Sequence, residues 1–107
     1  MELKEFFEKT HKQEFRYRII LADGESISVQ ASRLHYCEPE ESYLSAYSKV
    51  EVDYPSFVDE RLMEYAEEPE IPLHTVYARV PVETVETIIA EHGGIDDKTF
   101  CGDESSD

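Results

Sequence analysis

Four side chains of this sequence have the types and spacing that suit a metal ion: His35, Cys37, His92 and Cys101. His35 and Cys37 stand two residues apart, so an extended segment puts both donors on one side. A turn after a helix ending near His92 would bring His92 and Cys101 back toward them. Four nitrogen and sulfur donors are the set that tetrahedral zinc takes. The expectation is therefore no cofactor, or one structural zinc ion. The spacing lacks the usual C-x-x-C pair, and without metal the same residues are two independent thiols and two polar histidines. His11 and His74 have no partner at ligand spacing and read as surface residues.

Covalent chemistry has less to build on. Cys37 with His35 or His92 would make a thiolate and a base. No phosphate-cradling glycine loop, nucleophile elbow, metalloprotease helix or calcium loop is present. Gly93-Gly94 follows a helical pattern, whereas an anion cradle needs its glycines before one. No spacing fixes a nucleophile, a base and an oxyanion donor together, so the chain is not expected to be an enzyme. A small enzyme of unknown class is the third-ranked alternative.

Carboxylates are the abundant chemistry. The net charge is -15 over 107 residues, and it is unevenly placed. Residues 1–34 hold six Lys/Arg and six Asp/Glu, while residues 35–107 hold four and nineteen. Such a field repels nucleic acid and anionic membranes and attracts basic protein surfaces. Glu38, Glu40, Glu41, Glu64, Glu67, Glu68 and Glu70, continued by Glu83, Glu86, Glu91, Asp96 and Asp97, would set carboxylates along one face like a nucleic-acid backbone. Tyr43 and Tyr47, with Tyr36 and Tyr65, supply aromatic anchors. Small size, acidity and the absence of catalytic and targeting motifs resemble phage-encoded inhibitors, including anti-CRISPR and other DNA-mimic proteins. This is a resemblance of composition and covers no motif. It implies a basic partner protein that handles nucleic acid, with no direct nucleic-acid binding. The alternative is a zinc-stabilised accessory module for protein interaction, and a purely solubilising role accounts for the charge equally well.

The elements that must position these residues follow from periodicity. Leu3, Phe6, Phe7 and Thr10 predict a short amphipathic helix over 2–11 that covers an apolar surface. Phe15–Leu21 and Ile27–Ala31 alternate with period two around Ala22-Asp23-Gly24. A three-residue loop with Gly24 in the left-handed region pairs Leu21 with Glu25, Ile19 with Ile27 and Tyr17 with Val29, which puts both apolar sets on one face. Pro39 and the surrounding acids predict a loop. Ser48–Tyr54 predicts a third strand, with Val50, Val52 and Tyr54 on one face and Lys49, Glu51 and Asp53 on the other.

Ser56 as N-cap predicts a helix to about Ala66, burying Val58, Leu62 and Tyr65, and ended by Pro69. Leu73–Val80 predicts a fourth strand with Val76, Ala78 and Val80 on one side and Tyr77 and Arg79 on the other. Pro81 opens a last helix that Gly93-Gly94 ends. The fold class is α+β: a four-stranded, mostly antiparallel sheet in the order α-β-β-β-α-β-α, with helices packed on one face. A parallel crossover between strands three and four is also open. The expected domain is residues 1–95. Residues 96–107 form an acidic tail that Phe100 and Cys101 would tie down. Without a signal-like start or a run long enough to span a membrane, the chain is expected in the cytoplasm with reduced thiols.

Overall fold

The computed structural model describes residues 1–100. The chain runs α1 (Leu3–Thr10), β1 (Ile19–Ile20), β2 (Ser26–Gln30), β3 (Lys49–Asp53), α2 (Glu60–Met63), β4 (Val76–Pro81) and α3 (Val82–Glu91), then a 3-10 turn, Asp97–Phe100. The sheet order is β1-β2-β3-β4 and every neighbouring pair is antiparallel. The fold is α+β as expected, and the parallel crossover is not taken.

The hairpin has the expected register. Ile19 pairs with Ile27, the Leu21 amide donates to Glu25 O at 2.8 Å, and Gly24 sits at φ 94. Past Ile19 the ladder changes hands. The Gln30 side-chain amide accepts from the Arg16 N–H and donates to the Arg16 carbonyl, both at 2.8 Å. A side chain thereby replaces the backbone pairing expected at Tyr17 and Val29.

Alternation then decides the faces. Ile19, Leu21, Ile27, Val29, Val50 and Val52 are fully buried and form one core with Leu3, Phe6 and Phe7 of α1 and Val85, Ile88 and Ile89 of α3. An eight-residue helix is not stable alone. Burying each large apolar side chain of α1 contributes roughly 1.5–3 kcal/mol, and that packing holds it.

β4 departs from its expected pattern. Val50 faces Val80 but Val52 faces Tyr77, so Glu51 of β3 opposes two residues, Ala78 and Arg79. This is a bulge, with Arg79 at φ 51. The extra residue inverts half of the strand, so Tyr77 joins Val80 in the core while Val76 and Ala78 are only half buried. α2 is also shorter than expected. Its N-cap is Asp59, whose carboxylate accepts from the Arg61 N–H at 2.9 Å. Ser56 instead accepts from the Ser26 N–H and bonds Glu25. Val58, expected inside, is exposed, and so is Tyr54 at φ 47.

Both sheet edges are occupied. Beside β1, the Asp96 N–H donates to Ile20 O, the Ile20 N–H donates to Thr99 Oγ1, and Ile95 bridges Leu21. The Met1 ammonium donates to Ile95 O at 2.6 Å, and Phe100 packs on Phe6 and Tyr17. Beside β4, the Glu67 N–H donates to Val76 O and the Ala78 N–H to Tyr65 O. Among the described residues these bonds cover the edge at Ile20 of β1 and at Val76 and Ala78 of β4, where a peptide would otherwise extend the sheet.

Candidate functional site

The segment after β2 crosses the sheet face opposite α1 and α3. From Ser32 it passes over β3, where the Tyr36 N–H donates to Glu51 Oε1 at 3.0 Å. It reaches β4 at the bulge, where the Arg79 N–H donates to Tyr36 O at 3.0 Å. Arg79 then grips the strap twice, stacking on the Tyr36 ring with its charge 5.4 Å from the centroid and pairing with Glu40 at 2.6 Å. The bulge frees that N–H from the ladder, and the left-handed backbone at Arg79 aims it outward. This strap explains why Glu51, expected on a solvent face, is only 7 % exposed.

His35 and Cys37 ride on the strap, and both are committed to Ser32. The Ser32 hydroxyl bonds His35 Nδ1 at 2.6 Å, and the Cys37 thiol donates to Ser32 O at 3.2 Å. Burial lowers the His35 pKa and raises that of the Cys37 thiol, so the site disfavours both the imidazolium and the thiolate. Ser32 is fully buried. A substrate cannot reach its hydroxyl, which instead accepts from the Leu34 N–H and shapes the turn.

His92 is elsewhere. It bonds Asp23 in the β1–β2 turn at 2.6 Å and stacks on Phe57 at 4.4 Å. Asp23 precedes β2 and Ser32 follows it, so the length of β2 separates the two histidines. The expected zinc set is therefore not assembled by His35, Cys37 and His92, and Cys101 lies outside the described residues. Among the described residues no group of three or more His, Cys, Asp or Glu side chains is arranged to hold a metal.

The expected carboxylates fall into two groups. Glu38 pairs with Lys49 at 3.7 Å and Glu40 with Arg79, which leaves Glu41 without an ion pair among the described residues. Glu64 caps the end of α2, and Glu67, Glu68 and Glu70 line the turns between α2 and β4. All four are exposed, and none makes an ion pair among the described residues. Tyr43 projects into solvent at φ 68. Tyr47 does not; it is 5 % exposed, donates to Glu41 O at 2.6 Å and packs edge-on against Phe7. It holds the acidic loop from below and presents no ring to a partner.

Sequence reasoning missed a carboxyl pair at the edge of the strap. Glu51 and Asp53 share the outward face of β3, and Asp53 Oδ1 is buried with no hydrogen-bond partner among the described residues. Burial first, then the adjacent Glu51 and Glu67 carboxyls, push Asp53 up to about 8. The i, i+2 spacing on a strand was the available signal, masked by the expectation that this face meets water.

No family model matches the chain, and no curated protein or solved structure matches it significantly.

Proposed function

We propose that this chain is a small protein-binding inhibitor, of phage or mobile-element type, whose acidic surface occupies a basic, nucleic-acid-binding surface of a partner protein in the cytoplasm. One observation carries the reading. From residue 35 to residue 91 every cation is already engaged by a carboxylate: Lys49 by Glu38, Arg79 by Glu40, and Arg61 by both Asp59 and Glu91. Glu41, Glu64, Glu67, Glu68 and Glu70 are left exposed without an ion pair among the described residues. A field made this way acts at a distance and steers oppositely charged partners. Catalysis has no comparable support, since the one Ser–His contact is sealed and the one described thiol is buried.

The test is capture on immobilised full chain from a nuclease-treated bacterial lysate, eluted with stepped salt. A basic nucleic-acid-handling protein should elute as salt rises. Its affinity should fall at least tenfold when Glu67, Glu68 and Glu70 are all changed to Lys, about 1.4 kcal/mol. Affinity that ignores both salt and these changes rejects the reading.

A further inference from the structure

We infer that the partner is gripped through an apolar patch built by Phe15, Leu34 and Tyr43, with Tyr36 at its edge, and that the matching element is an apolar segment flanked by Lys or Arg side chains. The inference rests on the reading above and names the contact that electrostatic steering would deliver.

The patch gathers four of the eight exposed large apolar side chains among the described residues. Phe15 is 66 % exposed, Leu34 56 %, Tyr43 55 % and Tyr36 46 %. They come from three separate segments, and identifiable contacts bring these together. The Phe15 ring meets His35 edge-on at 5.3 Å, between Leu34 and Tyr36 in the chain. Glu14 accepts from Arg33 Nε at 2.8 Å and from the Ser42 hydroxyl at 2.9 Å, and Ser42 Oγ accepts from the Arg33 N–H. That net, with the Phe15–His35 contact, ties residues 14–15, 33–35 and 42–43 into one neighbourhood. Beneath it, Arg16 and Tyr47 anchor the loop to the core.

Exposed rings on a braced loop lose little freedom on binding, the property that makes aromatic side chains good anchors. Tyr43 is further held at φ 68, a backbone region costly for a side chain of this type. The other exposed large apolar residues, Tyr54, Val58, Ile71 and Leu73, lie in the segments flanking α2.

Charge selects the occupant. A second copy would bring a net charge of -15 against -15, and nucleic acid would be repelled in the same way. Glu41, exposed and without an ion pair among the described residues, stands two residues before Tyr43, while Arg33, next to Leu34 in the chain, and Arg79, on the Tyr36 ring, are already paired with Glu14 and Glu40. An apolar segment flanked by cations satisfies both the anchor and its border.

The experiment uses the full chain as bait for a displayed library of random 16-residue peptides, with affinities of the recovered peptides measured by calorimetry. Peptides combining apolar residues with flanking Lys or Arg should be recovered. Their affinity should fall at least tenfold for Phe15→Ser, Leu34→Ser and Tyr43→Asn, and stay within twofold for Val58→Ser and Leu73→Ser. All five positions are exposed, and unchanged melting temperatures confirm intact folds. If basic peptides are recovered whose binding depends only on Glu67, Glu68 and Glu70, the electrostatic reading survives and the patch is overturned. Recovery of peptides without cations overturns the stated occupant together with the electrostatic reading. Recovery of no binder overturns the patch.

Discussion

Glu51 and Asp53 stand side by side on the outward face of β3, and the two carboxyls can bond each other only by sharing a proton. Burial and that neighbour push Asp53 up to about 8 from its ordinary value of 3.8. The folded state thus keeps a proton that the unfolded chain releases. Between about pH 4 and pH 8 stability should fall as pH rises, and the loss should be complete above pH 8. Asp53→Asn supplies a permanent donor in place of the proton. Its melting temperature should exceed that of the parent at pH 8 and converge with it near pH 4. Parallel melting curves across that range would show that the proton is not shared.

Arg16 is the second buried charge, and among the described residues no carboxylate pairs with it. Its guanidinium donates to Thr10 Oγ1, Ala31 O and Leu44 O and lies 4.5 Å from the Phe7 ring centroid. Burial pulls its pKa down, but an arginine remains charged. Carbonyl and aromatic faces therefore take the role of a counter-ion, joining α1, the end of β2 and the loop below Tyr43. Arg16→Ala strips those acceptors of their donor and opens a cavity. It should cost about 2–4 kcal/mol in urea unfolding. Arg16→Met keeps the stem volume and should recover only part of that.

How much of this could be read in advance depends on the range of the interaction. The Ile19–Ile27 register was legible because a turn and two alternating runs fix it locally. α1 and α3 were legible from one-sided spacing. Three features were not. The bulge at Ala78–Arg79 carries no glycine to announce it, and its cause lies in the Tyr36 carbonyl forty-three positions earlier. Ser56 is an N-cap by type but is taken by Ser26 and Glu25 across space. For the candidate site, the exposed acids between α2 and β4 were visible from composition. Phe15 and Leu34 were not: alternation put Phe15 in the buried set with Tyr17 and Ile19, but the Gln30 side chain takes over the ladder at Arg16 and Phe15 is left outside, while Leu34 is exposed where the strap leads it.

The binding partners of His35 and Cys37 make a metal prediction. With Nδ1 and Sγ both directed at Ser32, and His92 held by Asp23 beyond the other end of β2, adding EDTA to the purified chain should leave its melting temperature unchanged within about 1 °C. Loss of a bound structural zinc would instead remove binding energy from the folded state and lower it by many degrees. Metal analysis of the purified chain should find less than a tenth of an equivalent of zinc, on the order of background for a protein without a closed four-ligand site.

Gly93 separates two costs that usually arrive together. It ends α3 at φ 91, and a Cβ added there would meet the Ala22 Cβ at 2.9 Å, closer than the atoms allow. Gly24 has nearly the same backbone, φ 94, with nothing within 4 Å of an added Cβ. Gly24→Ala therefore measures the left-handed backbone alone, about 1 kcal/mol. Gly93→Ala adds the collision and should cost about 2–3 kcal/mol, a fall of roughly 8–20 °C for a domain of this size. Combining Gly93→Ala with Ala22→Gly removes the colliding methyl while leaving the backbone unchanged. That pair should recover the collision part and leave the backbone part, a coupling readable as a double-mutant cycle. Additive melting temperatures would mean that the β1–β2 turn yields freely to α3, and that His92 and Asp23 do not fix their approach.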